Sequence, residues 1–189
     1  LEEVERLTKL SHTLISLSSA NSAALPQTPF AIMAVLTRVT KRFDQAYRLV
    51  VHAPKKQYQV LANESAIEEL LTILIENALK YSPPESLVTI EVAIRDQKLQ
   101  VSISNGGEGI PPEHLPHIFT RFYRIDTART GRSGHGLGLA LAHQISELHN
   151  AKLSVNSIPN HSTVFAFYIP IFRQHKAKNH KKSVTNPQP

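Results

Sequence analysis

The chain has 189 residues, 41% hydrophobic and 19% charged, which suits one ordinary domain with appendages and excludes a disordered chain. It has no cysteine, so disulfides and thiolate metal sites are excluded as well. No apolar run approaches the roughly 18 residues that cross a bilayer, and there is no signal-peptide pattern behind Leu1. The expectation is a cytoplasmic piece of a larger protein, one that an inner-membrane segment upstream could anchor.

The net charge of +6 suggests a polyanion partner until it is mapped. Arg173, Lys176, Lys178, Lys181 and Lys182 fall in the last 17 residues, which hold no acid, so 16 basic residues face 15 acidic ones in the body. The basicity belongs to the tail, residues 173–189, expected to be disordered. No nucleic-acid partner is expected.

Leu1, Val4, Leu7, Leu10, Leu14 and Leu17 form the stripe of an amphipathic, coiled-coil-like helix over residues 1–20. Residues 21–29, rich in small residues and proline, read as a linker. A second amphipathic helix is expected over Phe30 to Phe43, with Phe30, Met33, Ala34, Leu36, Val39 and Phe43 as its contacts. Strand-like runs follow at Tyr47 to His52 and Tyr58 to Leu61. The strongest helix signal then runs to Pro83, capped by Asn63 or by a Ser65–Glu68 capping box, with Ile67, Leu70, Leu71, Leu74, Ile75 and Ala78 on its buried face.

Alternating runs at Leu87 to Ile94 and Leu99 to Ser104 predict an antiparallel hairpin turning through Arg95 to Lys98. Asn105 to Gly138 is a long glycine-rich stretch with one short turn near Pro112 to Phe119. A loop of that length inside a domain is usually functional. A helix over Leu139 to His149 and strands at Leu153 to Asn156 and Thr163 to Ile169 close the chain. The order predicts an α+β fold: a two-layer sandwich with a mixed sheet covered by helices on one face.

Four blocks carry chemistry. Ile75-Glu76-Asn77-Ala78-Leu79-Lys80-Tyr81-Ser82-Pro83 sets Ile73, Asn77 and Lys80 (or Tyr81) on one helix face beside the buried stripe. In Asn105-Gly106-Gly107-Glu108-Gly109-Ile110, glycines permit positive φ and close backbone approach to a ligand. Ile118-Phe119-Thr120-Arg121-Phe122-Tyr123-Arg124 combines two aromatic anchors with cations. Arg121, Arg124, Arg129 and Arg132 face a single acid, Asp126, an imbalance that a triphosphate would explain, although an exposed basic loop explains Arg129 and Arg132 equally well. Gly134-His135-Gly136-Leu137-Gly138 leads straight into a helix, whose free N–H groups and dipole suit phosphate oxygens.

Together and in this order, the blocks resemble the catalytic domain of sensor histidine kinases, in the ATP-binding superfamily that includes gyrase, Hsp90 and MutL. The likeness covers about Phe30 to Phe172. It implies ATP and Mg²⁺ as cofactors, with Asn77 as metal ligand and Lys80 on phosphate. It further implies that Tyr81, Asn105, Gly107, Gly109, Ile110, Arg121, Arg124, Gly134, His135, Gly136, Leu137 and Gly138 line the nucleotide, and Glu76 could orient a catalytic group. The family usually has aspartate at the Asn105 position, accepting a bond from the adenine amino group. A neutral acceptor there costs about 1 kcal/mol, roughly fivefold in affinity. Ile73 stands where a second asparagine is frequent. Asn150, Ala151 and Asn160 to Ser162 replace glycines and are expected to affect only turns.

The acceptor histidine of the family is followed by an acid, and none of the ten histidines here is. The resemblance therefore implies a fragment whose acceptor lies on an upstream helix. Residues 1–20 would be the second helix of a dimerisation hairpin, and a response-regulator receiver domain would take the phosphate. A nucleotide-binding pseudokinase that regulates a partner is the competing reading. His114 and His117 share zinc-like spacing without a third ligand.

Overall fold

The computed structural model describes residues 26–43, 48–125 and 135–173. The expected first helix and the tail beyond Arg173 lie outside them. The elements are β1 (Thr28–Ala31), α1 (Ile32–Arg42), β2 (Leu49–His52), β3 (Gln59–Ala62), α2 (Glu64–Tyr81), β4 (Val88–Arg95), β5 (Lys98–Gly106), α3 (Gly138–Leu148), β6 (Lys152–Ile158) and β7 (Ser162–Pro170).

Five strands form a mixed sheet in the order β2-β4-β5-β7-β6, with β2 parallel to β4 and every other pair antiparallel. The helices pack on one face of it, and the α+β sandwich read from the sequence is the fold observed. Alternation is clearest in β5, where Leu99, Val101 and Ile103 are buried while their neighbours stay half-exposed. The β4–β5 hairpin closes through Asp96 and Gln97, both at positive φ. Such primed turns match the strand twist, although neither residue is glycine.

The α2 stripe is buried as expected, from Ile67 to Ala78. Each such large side chain contributes about 2 kcal/mol of burial. Its cap is Asn63, whose side-chain oxygen accepts the Ala66 N–H at 3.0 Å. The Ser65–Glu68 box does not form, because Glu68 instead receives Arg38 and Arg42 from α1.

Two expectations near the start of the domain need correction. Residues 28–31 are neither linker nor helix: they form β1, antiparallel to β3, with Phe30 opposite Val60 and both buried. Extended backbone is favoured there because Thr28 precedes Pro29. Helix α1 therefore starts at Ile32, and its buried face is Ile32, Val35, Leu36 and Val39, while Ala34 is exposed.

Candidate functional site

Helix α2 carries the first block on its last two turns. Glu76, Asn77 and Lys80 are half-buried there, and the Lys80 ammonium lies 5.1 Å from the Tyr81 ring centre. Proline at 83 and 84 forbids further helix, and Ser82 ends it in extended geometry, its N–H bonded to Ala78 O. What holds the segment after this helix is Arg48, just before β2. Its guanidinium donates to Ser86 O at 2.9 Å, to Pro83 O at 2.7 Å and to the Ser82 hydroxyl.

The second block, Asn105 to Ile110, is a first glycine box and leaves the end of β5. Asn105 is buried between Val88 and Thr163 on the neighbouring strands, and its amide nitrogen donates to Gly106 O at 2.8 Å. That orientation leaves the carbonyl oxygen as the end able to serve as an acceptor elsewhere. Gly107 and Gly109 have φ of +138° and +69°. A Cβ on Gly107 would stand 2.5 Å from Tyr81 O, and one on Gly109 2.5 Å from Ile158 O. These glycines are thus required by the protein's own backbone, before any ligand is considered.

The β6–β7 connection, expected to matter only for its turns, is the other wall of this box. Asn160 N–H donates to Glu108 O at 2.7 Å, and Gly107 N–H to His161 O at 3.3 Å. The Ser157 hydroxyl accepts the Ile110 N–H at 2.8 Å and lies 2.8 Å from the Thr163 hydroxyl. Asn150 and Asn160 adopt positive φ in place of glycine, a conformation asparagine tolerates better than most residues.

The third and fourth blocks clasp each other. Phe122 N–H donates to Gly136 O at 2.8 Å, and a Cβ on Gly136 would meet Tyr123 O at 2.6 Å. Phe119 is an anchor, stacked on His143 at 5.2 Å and edge-on to Phe165 at 6.4 Å. Phe122 is not: it is 62% exposed at φ +63°. Arg121 and Arg124 are exposed. Arg121 reaches Gln144 Oε1 at 3.3 Å, six residues and about 9 Å along α3 from its first residue. Gly134, Arg129 and Arg132 lie outside the described residues.

Half-buried His135 and buried Leu137 lead into α3. The N-cap residue is Leu137, whose side chain makes no cap bond, and free N–H groups in the first turn of a helix suit an anion. Ile73 accounts for its own departure from the family's second asparagine: its Cγ2 would sit 3.4 Å from a Cβ at Gly138, so it packs α2 against the start of α3. Contacts therefore join the first block to the second through Tyr81 and Gly107 and the third to the fourth through Phe122 and Gly136, while Ile73, two residues before the first block, meets the fourth at Gly138.

Among the described residues, no group of three His, Cys, Asp or Glu could hold a metal ion, and His114 Nδ1 is engaged by the Tyr123 hydroxyl at 2.7 Å. A cation held mostly by phosphate and water would need few protein oxygens, and the half-buried Asn77 amide on α2 would be one such donor. Among the described residues no helix is long and apolar enough to cross a membrane.

Comparison with known proteins gives the family and the fold. The chain is 35% identical over 170 residues to the sensor histidine kinase YkoH of Bacillus subtilis, covering 85% of this chain and 36% of the relative. It is 32% identical over 164 residues to the adaptive-response sensory kinase SasA of Microcystis aeruginosa, covering 84% and 42%. The chain thus spans about two fifths of the length of these relatives. Among solved structures, full-length ShkA in complex with AMPPNP shares the fold at a TM-score of 0.78 and 21% identity, over 90% of this chain and 37% of that one. The Acinetobacter baumannii histidine kinase AdeS matches at 0.72 and 26%, over 92% and 82%. Residues 62–173 match the model of one family over more than half the chain, and the protein belongs to it: the histidine kinase-, DNA gyrase B- and HSP90-like ATPases.

Proposed function

We propose that this chain is the catalytic part of a two-component sensor histidine kinase, with its ATP-binding domain over residues 30–172. It binds Mg-ATP and passes the γ-phosphoryl group to a histidine on an upstream helix, from which a response-regulator aspartate takes it. The observation that carries this reading is the joining of four distant sequence blocks at one place, each through backbone or close side-chain contact. The sensor kinases it resembles along most of its length supply the direction of transfer.

In this reading the oxygen of Asn105 accepts from the adenine amino group. The backbone of Gly107, Gly109 and Ile110 runs beside the nucleotide, with Tyr81 at the edge of the pocket. Lys80 and the N–H groups at the start of α3 meet phosphate oxygens, and the segment His135-Gly136-Leu137 brings the backbone to them. Arg121 and Arg124 face the triphosphate from the third block, which requires Arg121 to leave Gln144. Asn77 holds Mg²⁺, and the bound ion neutralises phosphate charge. Glu76 orients the incoming imidazole, whose nitrogen attacks in line as ADP leaves. The full-length protein dimerises through its helical hairpin.

Radiolabelled ATP incubated with a longer chain that includes the upstream helix tests this. Acid-labile label on a histidine is expected, and Asn77→Ala should cut its rate about a hundredfold or more, the several kcal/mol that a metal supplies. Measurable ATP binding without any label would leave a nucleotide-binding regulator instead, the reading that the neutral Asn105 favours.

A further inference from the structure

We infer that Arg48 is a positioning residue of the nucleotide site, holding the end of α2 against the first glycine box. The inference rests on the proposed ATP site. Arg48 belongs to none of the four blocks and lies in the approach to an edge strand. Its guanidinium nevertheless makes three bonds into residues 82–86, more than 30 positions away, and its own carbonyl accepts the Val88 N–H at 2.8 Å.

The chain of contact runs from there to the site. Pro83 O, which Arg48 takes at 2.7 Å, also accepts the Ser86 N–H at 3.1 Å and the Ser86 hydroxyl at 2.9 Å. Buried Ser82 is oriented by Arg48 on one side, and its hydroxyl donates to Leu79 O at 3.2 Å on the other. Gly107 then packs on this segment so tightly that a Cβ would fall 2.5 Å from Tyr81 O and 3.6 Å from Pro83 Cδ. A planar fork with several donors can hold a hydroxyl and two carbonyls at once; an ammonium on a flexible stem cannot reproduce that geometry. Without the fork, two backbone carbonyls and a buried hydroxyl lose a charged donor, and the carbonyl wall behind Gly107 is free to shift. Displacements of an ångström in such a wall are enough to degrade ligand placement.

The test compares ATP affinity and thermal midpoint in Arg48→Ala, Arg48→Lys and Arg38→Ala. Arg38 pairs with Glu64 and Glu68 on the α1–α2 flank, so its removal reports lost stability without touching the site. Arg48→Ala should weaken ATP binding about five- to tenfold, less than one full charge-assisted bond, because the lost bonds reach the nucleotide only through the displaced wall. Arg48→Lys should fall between, with faster amide hydrogen exchange at residues 106–110 and unchanged exchange in β4. Arg38→Ala should lower the midpoint and leave affinity within about twofold. Folded Arg48→Ala and Arg48→Lys proteins that bind ATP like the parent would overturn the inference while leaving the proposed function intact. If Arg48→Ala does not fold, the affinity and exchange of Arg48→Lys decide alone. A parent chain that binds no ATP overturns both.

Discussion

The first glycine box and the third block, a phenylalanine box over Ile118 to Arg124, are both irregular, yet they are held in opposite ways. The former is walled on two sides by backbone: Tyr81 and Pro83 behind Gly107, Ile158 and Asn160 behind Gly109 and Glu108. The latter is pinned at Phe119 and at the Phe122–Gly136 bond, and between and beyond those points it shows exposed Arg121, Phe122 and Arg124 to solvent. A glycine surrounded by carbonyls has no slack, whereas an exposed aromatic has little to lose. Substitutions should therefore be sharply unequal across the two segments.

Gly109→Ala should have the largest effect on stability, about 3 kcal/mol, since it combines positive φ with a 2.5 Å clash against Ile158 O. Denaturant titration measures it; a loss below about 1 kcal/mol would show that the β6–β7 turn yields. Within the phenylalanine box, Phe119→Ala should cost about 2 kcal/mol, less than a fully buried phenylalanine. Phe122→Ala should stay within about 0.5 kcal/mol. Equal losses at the two positions would mean that Phe122 packs in solution, contrary to its exposure. Asn105→Asp sharpens the comparison by function: a carboxylate should tighten ATP binding about fivefold, near 1 kcal/mol, read by calorimetric titration.

The smallest effect belongs to the flank away from both boxes. Partial burial raises the Glu68 carboxyl, but the hydrogen bonds and charges of Arg38 and Arg42 outweigh this and hold it below its ordinary value of 4.5. A carboxyl depressed in the folded state stabilises fully above the unfolded value, and that contribution fades as pH falls through the lower folded one. Denaturant midpoints at neutral pH and near about pH 3 should differ less in Glu68→Gln than in the parent. An unchanged slope would assign the acid sensitivity to other groups.

Much of the fold was legible in residue patterns. The stripe from Ile67 to Ala78 and the alternation in β4 and β5 each announce an element within a dozen residues, because side-chain period is a local property. The four blocks were legible too, as was their resemblance to a histidine kinase catalytic domain. Strand β1 was not, since Thr28 to Ala31 is too short to show a period and becomes a strand only beside β3. Phe122 looked like an anchor because it is aromatic and three residues from Phe119. Its backbone at positive φ places the ring outside.

By itself, then, the sequence determined α2, the β4–β5 hairpin and α3, and that an ATP-binding family fold results. Tertiary structure alone decided that Asn160 and Ser157 wall the first glycine box, that Ile73 packs at Gly138, and that Arg48 holds residues 82–86. The reason is separation along the chain. Periodicity and capping act between neighbours, but these contacts join residues dozens of positions apart, and only the strand order brings them within bonding distance.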